Sequence, residues 1–123
     1  MKIEVSNGEI IDKLTIIDIK LKRISDKQKL ANLQKEFVVL SDAAKSIIST
    51  DHSLYKALYE INSALWEIED VIRELERKKD FGEKFIETAR AVYFNNDKRA
   101  EIKKEINLLT GSNLIEEKSY EKY

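Results

Sequence analysis

Residues 54–75 read LYKALYEINSALWEIEDVIREL. Leu54, Leu58, Ile61, Leu65, Ile68, Ile72 and Leu75 recur at spacings of four and three, a heptad register kept without a miss. Only an α-helix lines up such positions, and with its flanks the helix should be about 40 Å long at about 1.5 Å per residue. A seam of that length needs long partners, so the reading implies an all-α fold. A second stripe stands beside it: Tyr55, Tyr59 and Trp66, with Asn62 between them. Two tyrosines and a tryptophan facing water would be unusual. They are interface candidates, covered by another segment or by a second copy of the chain.

Toward the N-terminus, Ser6-Asn7-Gly8-Glu9 has the spacing of a capping box and starts the first helix. Ile10, Leu14, Ile17, Leu21 and Ile24 share one face, while Ile11, Ile16 and Ile19 lie off it. This helix should touch more than one neighbour. Ser25-Asp26 is a break, with Ser25 and Gln28 again at capping-box spacing, and Leu30, Leu33, Phe37, Leu40, Ala44 and Ile47 define a second helix. Ser49-Thr50-Asp51 closes it, and such short connections imply antiparallel neighbours.

Toward the C-terminus, Asp80-Phe81-Gly82 ends the long helix. Phe85, Ile86, Ala89, Val92 and Tyr93 then share a face; Ala100, Ile102, Ile106 and Leu109 share another, rotated by roughly 120° at about 100° per residue. The change of phase falls on Asn95-Asn96-Asp97, residue types that cap helix N-termini. Two helices are therefore expected, 83–94 and 97–109, the second stopped by Gly111 in the left-handed position after a helix end. The expected architecture is an up-and-down antiparallel helical bundle, one domain over residues 1–123, with a shorter C-terminal helical pair and a tail over 112–123.

Composition narrows the function. Lys and Arg number 22 against 23 Asp and Glu, so no positive excess argues for nucleic acid or an anionic membrane. There is no cysteine, hence no disulfide and no thiolate metal site. The start is too charged for a signal peptide, no run approaches a membrane span, and the cytoplasm is the expected location. His52 is the only histidine, so one chain cannot supply a two-histidine site. Neither metal nor cofactor is expected.

Glu67 and Asp70 stand at i and i+3, where two carboxylates could share a divalent cation. Nucleotide pyrophosphatases of the MazG type use such a pair together with an upstream glutamate cluster. Between 36 and 60 there are only Glu36, Asp42, Asp51 and Glu60, widely spread, so an acidic face is the simpler reading. The first helix lacks the arginines that a chorismate mutase would need. No serine nucleophile motif and no glycine-rich phosphate loop is present. Polar groups at the helix breaks remain as ligand- or partner-binding candidates: Asn7, Glu9, Asp12 and Lys13 near the start, and Arg90, Asn96, Asp97 and Arg99 near the expected break. Arg90 and Arg99 lie close to apolar faces, where a guanidinium needs an anionic or polar partner.

The stretches NGEIIDKLTIIDIKLKRI, KLANLQKE, LWEIEDVIRE, ARAVYFNNDKRAEIKKEIN and EEKSY resemble a small family of proteins of unknown function in bacteria and phages. Some members stand alone; others are attached to repeat or glycosyltransferase proteins. The resemblance covers nearly the whole chain, departing slightly at the second isoleucine of IIDIK. It implies a stand-alone helical domain, near polysaccharide biosynthesis or in a marine virus, and supplies no catalytic residues. Its polar pattern matches Asn7, Glu9, Asp12, Lys13, Glu67, Asp70, Arg73, Arg90, Asn96, Asp97 and Arg99. The expected function is a non-enzymatic protein-interaction module that forms a homo-oligomer, a dimer by preference, and meets a further protein partner. The alternative is a binding protein or enzyme for an anionic ligand such as a nucleotide or sugar phosphate, held by Arg90, Arg99 and Lys13.

Overall fold

The computed structural model describes residues 1–123 and contains helices only: α1 (Asn7–Arg23), α2 (Lys27–Ala44), α3 (Ser53–Arg77) and α4 (Glu83–Thr110). No helix is long and apolar enough to cross a membrane. Ser6 caps α1, its hydroxyl accepting from the Glu9 N–H at 3.2 Å. Glu9 does not complete the box; its carboxylate is drawn to Lys103 instead. Asp26, not Ser25, caps α2, accepting from the Lys29 N–H, and the His52 imidazole caps α3, accepting from the Leu54 N–H at 3.0 Å.

α1 is the middle of the molecule. It packs against α2, α3 and α4, whereas α2 lies on α1 alone. The surplus isoleucines of α1 answer to this position: Ile11, Leu14, Ile17 and Ile19 are all buried. The core, where Ile11 and Leu14 meet Leu58 and Ile106, is closed by Ala44 and Tyr55. α3 and α4 form an antiparallel hairpin that outreaches α1, which has 17 residues against their 25 and 28. Arg23, the last residue of α1, already pairs with Glu67, so the distal end of the hairpin has no third helix beside it.

The C-terminal helical pair expected from the phase change is one continuous helix, α4, of 28 residues. A break would be needed if a single neighbour had to bury both apolar faces. Two neighbours do so: α3 takes the face around Ala89 and Val92, and the core under α1 takes Ile102 and Ile106. Asn95 does not cap a new helix, for its side-chain amide donates to the Ala91 carbonyl at 2.7 Å within the same one. Gly111 ends α4 at φ 64°, the left-handed conformation expected of it.

α1 enters against the end of α4 with its backbone nearly touching. A Cβ added at Gly8 would stand 2.5 Å from the Lys103 carbonyl oxygen and 3.0 Å from Asn107 Oδ1. Gly8→Ala is therefore expected to cost about 1–3 kcal/mol by urea unfolding. At Gly82 the nearest atom is a movable carboxylate oxygen of Asp80 at 3.3 Å, and Gly82→Ala should stay within about 0.5 kcal/mol.

Candidate functional site

The N-terminal turn of α1 exposes backbone N–H groups that no intrahelical carbonyl can satisfy. The end of α4 supplies acceptors. The Asn7 N–H donates to Ser112 Oγ at 2.9 Å and the Gly8 N–H to Asn107 Oδ1 at 2.6 Å. Asn7 also donates through its side chain to Thr110 Oγ1. One turn further, a charged network fills the junction of α1, α3 and α4. Asp12 is fully buried. Its carboxylate accepts from Arg99 Nε at 2.9 Å, from Arg99 Nη2, and from Asn62 Nδ2 at 2.8 Å. Asn62 donates also to Thr15 Oγ1, and Thr15 donates to the Asp12 carbonyl, so the ring closes. Lys103 lies beside it, 2.7 Å from Glu9 and 4.0 Å from Asp12.

The electrostatics favour the charged forms. The hydrogen bond to Asp12 raises the Arg99 pKa further, against the opposing effect of burial. Burial is the largest influence on Lys103 and lowers it, yet the Glu9 hydrogen bond and the Asp12 charge outweigh it, leaving the ammonium above the usual lysine value. No buried side-chain nitrogen or oxygen lacks a partner.

Of the residues singled out in the sequence, Asn7, Glu9, Asp12 and Arg99 come together here. Asn96 lines a small cleft on the outer side of Arg99. Lys13 points outward, 3.9 Å from Glu9. Arg90 does not join them. Nine residues separate it from Arg99 on one helix, which at about 100° per residue sets them on opposite sides. Arg90 is exposed and lies over the Phe94 ring, so one anion held between Arg90, Arg99 and Lys13 has no geometry to support it. Asp97 accepts from the Tyr123 hydroxyl at 2.6 Å. Glu67 is taken up by Arg23, and Asp70 lines a groove of about 350 Å³ with Ile16, Trp66, Arg73 and Arg99.

The aromatic stripe is covered within the chain. Tyr55 belongs to the core, Lys22 sits 4.8 Å above the Tyr59 ring, and Arg23 lies over Trp66. Thr15, Lys103 and Asn107 are site residues that the sequence does not single out. For Thr15 a signal exists: with Asp12 it is a polar residue on a helix that is otherwise apolar nearly all round. Lys103 and Asn107 are ordinary helix-surface types, and only the arrival of α1 gives them a role.

The chain is thus a small helical bundle held by a buried ionic junction rather than by a long apolar core. The model of DUF6165, described as a family of unknown function, matches residues 1–123, and the chain belongs to that family. No curated protein and no solved structure matches it.

What each partner leaves behind decides the cost of removing it. Arg99→Met strands a carboxylate with no access to water, whereas Asp12→Asn leaves a guanidinium that is 30% exposed and can turn outward. Arg99→Met should destabilise by about 3–5 kcal/mol in urea unfolding, and Asp12→Asn by clearly less. The reverse order would contradict this account of the junction. Tyr55 offers a test at high pH. Burial first, and the Asp18 charge second, push its hydroxyl from 10.0 up to about 12. A proton held more tightly in the folded state stabilises below the unfolded pKa, and that stabilisation is lost as pH rises through the folded one. Between pH 10 and 12 the wild type should lose stability more steeply than Tyr55→Phe.

Proposed function

We infer that the protein is a non-enzymatic interaction module that pairs with a second copy of itself through the distal half of the α3–α4 hairpin. The observation that carries this is surface. The chain exposes 8706 Å², where a compact monomer of 14.3 kDa would expose about 6,800 Å². The excess exceeds the roughly 800 Å² that each partner buries in a standard interface, which leaves room for the extended tail.

The heptad seam says where the surplus lies. It continues through Ile68, Ile72 and Leu75, yet between residues 68 and 95 Thr88 is the sole buried residue. Phe85, Ala89 and Val92 are half-buried, and Phe81 and Ile86 are more than half exposed. Two helices cannot enclose a seam; four can, and a second hairpin laid across the first supplies them. The rims carry both signs of charge, Glu69 and Glu74 beside Arg73 and Arg77 on α3, with Glu83, Lys84 and Glu87 on α4. Self-pairing therefore need not oppose like charges. The grounds for a dimer lie here and not where the sequence suggests them: the isoleucines of α1 and the stripe of Tyr55, Tyr59 and Trp66 are occupied within the chain. We place this module in the cytoplasm of a bacterium or phage-infected cell, on the strength of the family resemblance.

Sedimentation equilibrium should give twice the chain mass at micromolar concentration. Ile72→Glu, at a half-buried site away from the ionic junction, should return the monomer with the helical circular dichroism unchanged. A wild-type monomer mass at every concentration would sink the reading.

A further inference from the structure

We propose that the cleft on the outer face of α4, bounded by Arg99, Lys103, Lys104 and Lys118, is a binding site for a dianionic phosphate, and that Glu116 and Glu117 of the tail occupy it in the ligand's absence. This site is separate from the hairpin seam and does not depend on self-association.

The charge pattern leads to it. Asp12 answers Arg99, and Glu9 answers Lys103. Lys104 and Lys118 then have no carboxylate from the helical body; the tail brings the balance. Glu116 reaches Lys103 at 3.2 Å, and Glu117 reaches Lys104 at 3.3 Å. Two consecutive carboxylates thus lie on two consecutive lysines of α4. A group that replaces both must carry about two negative charges on oxygen atoms, as a phosphate monoester or pyrophosphate does near neutral pH. Arg99 commits Nε and Nη2 to Asp12, and no protein acceptor takes Nη1. The site also has a preorganised floor, because Arg99 and Lys103 are fixed by the buried network and lose little freedom when a ligand arrives.

The tail is built to leave. Past Ser112 every residue is exposed, and none belongs to a helix. Its far end is held by Tyr123, whose ring meets Tyr93 and Phe94 edge-on and whose hydroxyl donates to Asp97. These contacts are all at the surface. With Glu116 in place the cleft has only about 40 Å³ free, space for a water or two and not for phosphate, so binding requires the tail to lift.

The test is titration of the full chain with sodium pyrophosphate at constant ionic strength, monitored by ¹H–¹⁵N NMR. In the wild type, the amides of Lys103 and Lys104 should shift together, while those of residues 116–123 move toward random-coil positions. In Glu116→Gln/Glu117→Gln, pyrophosphate should bind at least about fivefold more tightly, since the competent state no longer competes with an internal occupant. Glu60→Gln/Glu76→Gln removes the same charge from α3 and should leave the affinity unchanged. Lys104→Gln/Lys118→Gln, both at exposed positions, should abolish binding. Equal affinity in the wild type and the tail variant overturns the proposal, as does equal tightening in the α3 variant. Persistence of binding without Lys104 and Lys118, or no binding to any form at roughly 10 mM pyrophosphate, also overturns it.

Discussion

The carboxylate of Asp12 sets the terms for the rest of the molecule. It sits in the first half of α1 with no access to water, and an ion in that position must be fully answered. Arg99 comes from α4 and Asn62 from α3, so satisfying one side chain fixes the position of both helices against α1. Apolar burial alone would leave such a register loose, because many neighbouring arrangements bury similar area. A bidentate guanidinium with one amide donor accepts far fewer. Replacing a buried pair by apolar residues often costs nothing in stability, so the network's contribution here is to the choice of arrangement more than to the depth of the energy minimum.

The same junction explains why the chain manages with so little core. Only 16 residues are buried, and six of them are polar. A Gly at position 8 lets the backbones of α1 and α4 meet, and the helix-start N–H groups of α1 end on Asn107 and Ser112. The two chain ends are thereby tied in one place. Cohesion is concentrated at this end of the bundle, while the far end of the hairpin has only its own two helices and a half-open seam.

Much of this is legible in the sequence, and the exceptions have a common cause. Heptad spacing locates α3; capping residues and Gly111 mark the helix ends to within a few positions; Asp12, Asn7 and Arg99 stand out as polar groups near apolar faces. The inferences that fail are those that require knowing how many neighbours a helix has. The phase shift in α4 implies a break only where one neighbour must bury both faces, and two are present. The aromatic stripe of α3 implies an open surface only until the stems and charges of Lys22 and Arg23 are counted as cover. Periodicity reports the direction of an apolar face, not what lies against it.

The continuity of α4 also decides the relation between Arg90 and Arg99. As members of two helices they could converge; as members of one continuous helix, nine residues apart, they cannot. Their separation assigns the two sides of α4 different work. The side of Arg99 faces the buried network and, across Lys103, the carboxylates of the tail. The side of Arg90 carries the Phe94 and Tyr93 rings against which Tyr123 rests. The tail must therefore pass from one side to the other, and it does so without burying any residue beyond Ser112. A segment held at the surface by a few polar and edge-on aromatic contacts is weakly bound along its length. Its carboxylates are consequently the most exchangeable anions in contact with the most firmly placed cations of the fold.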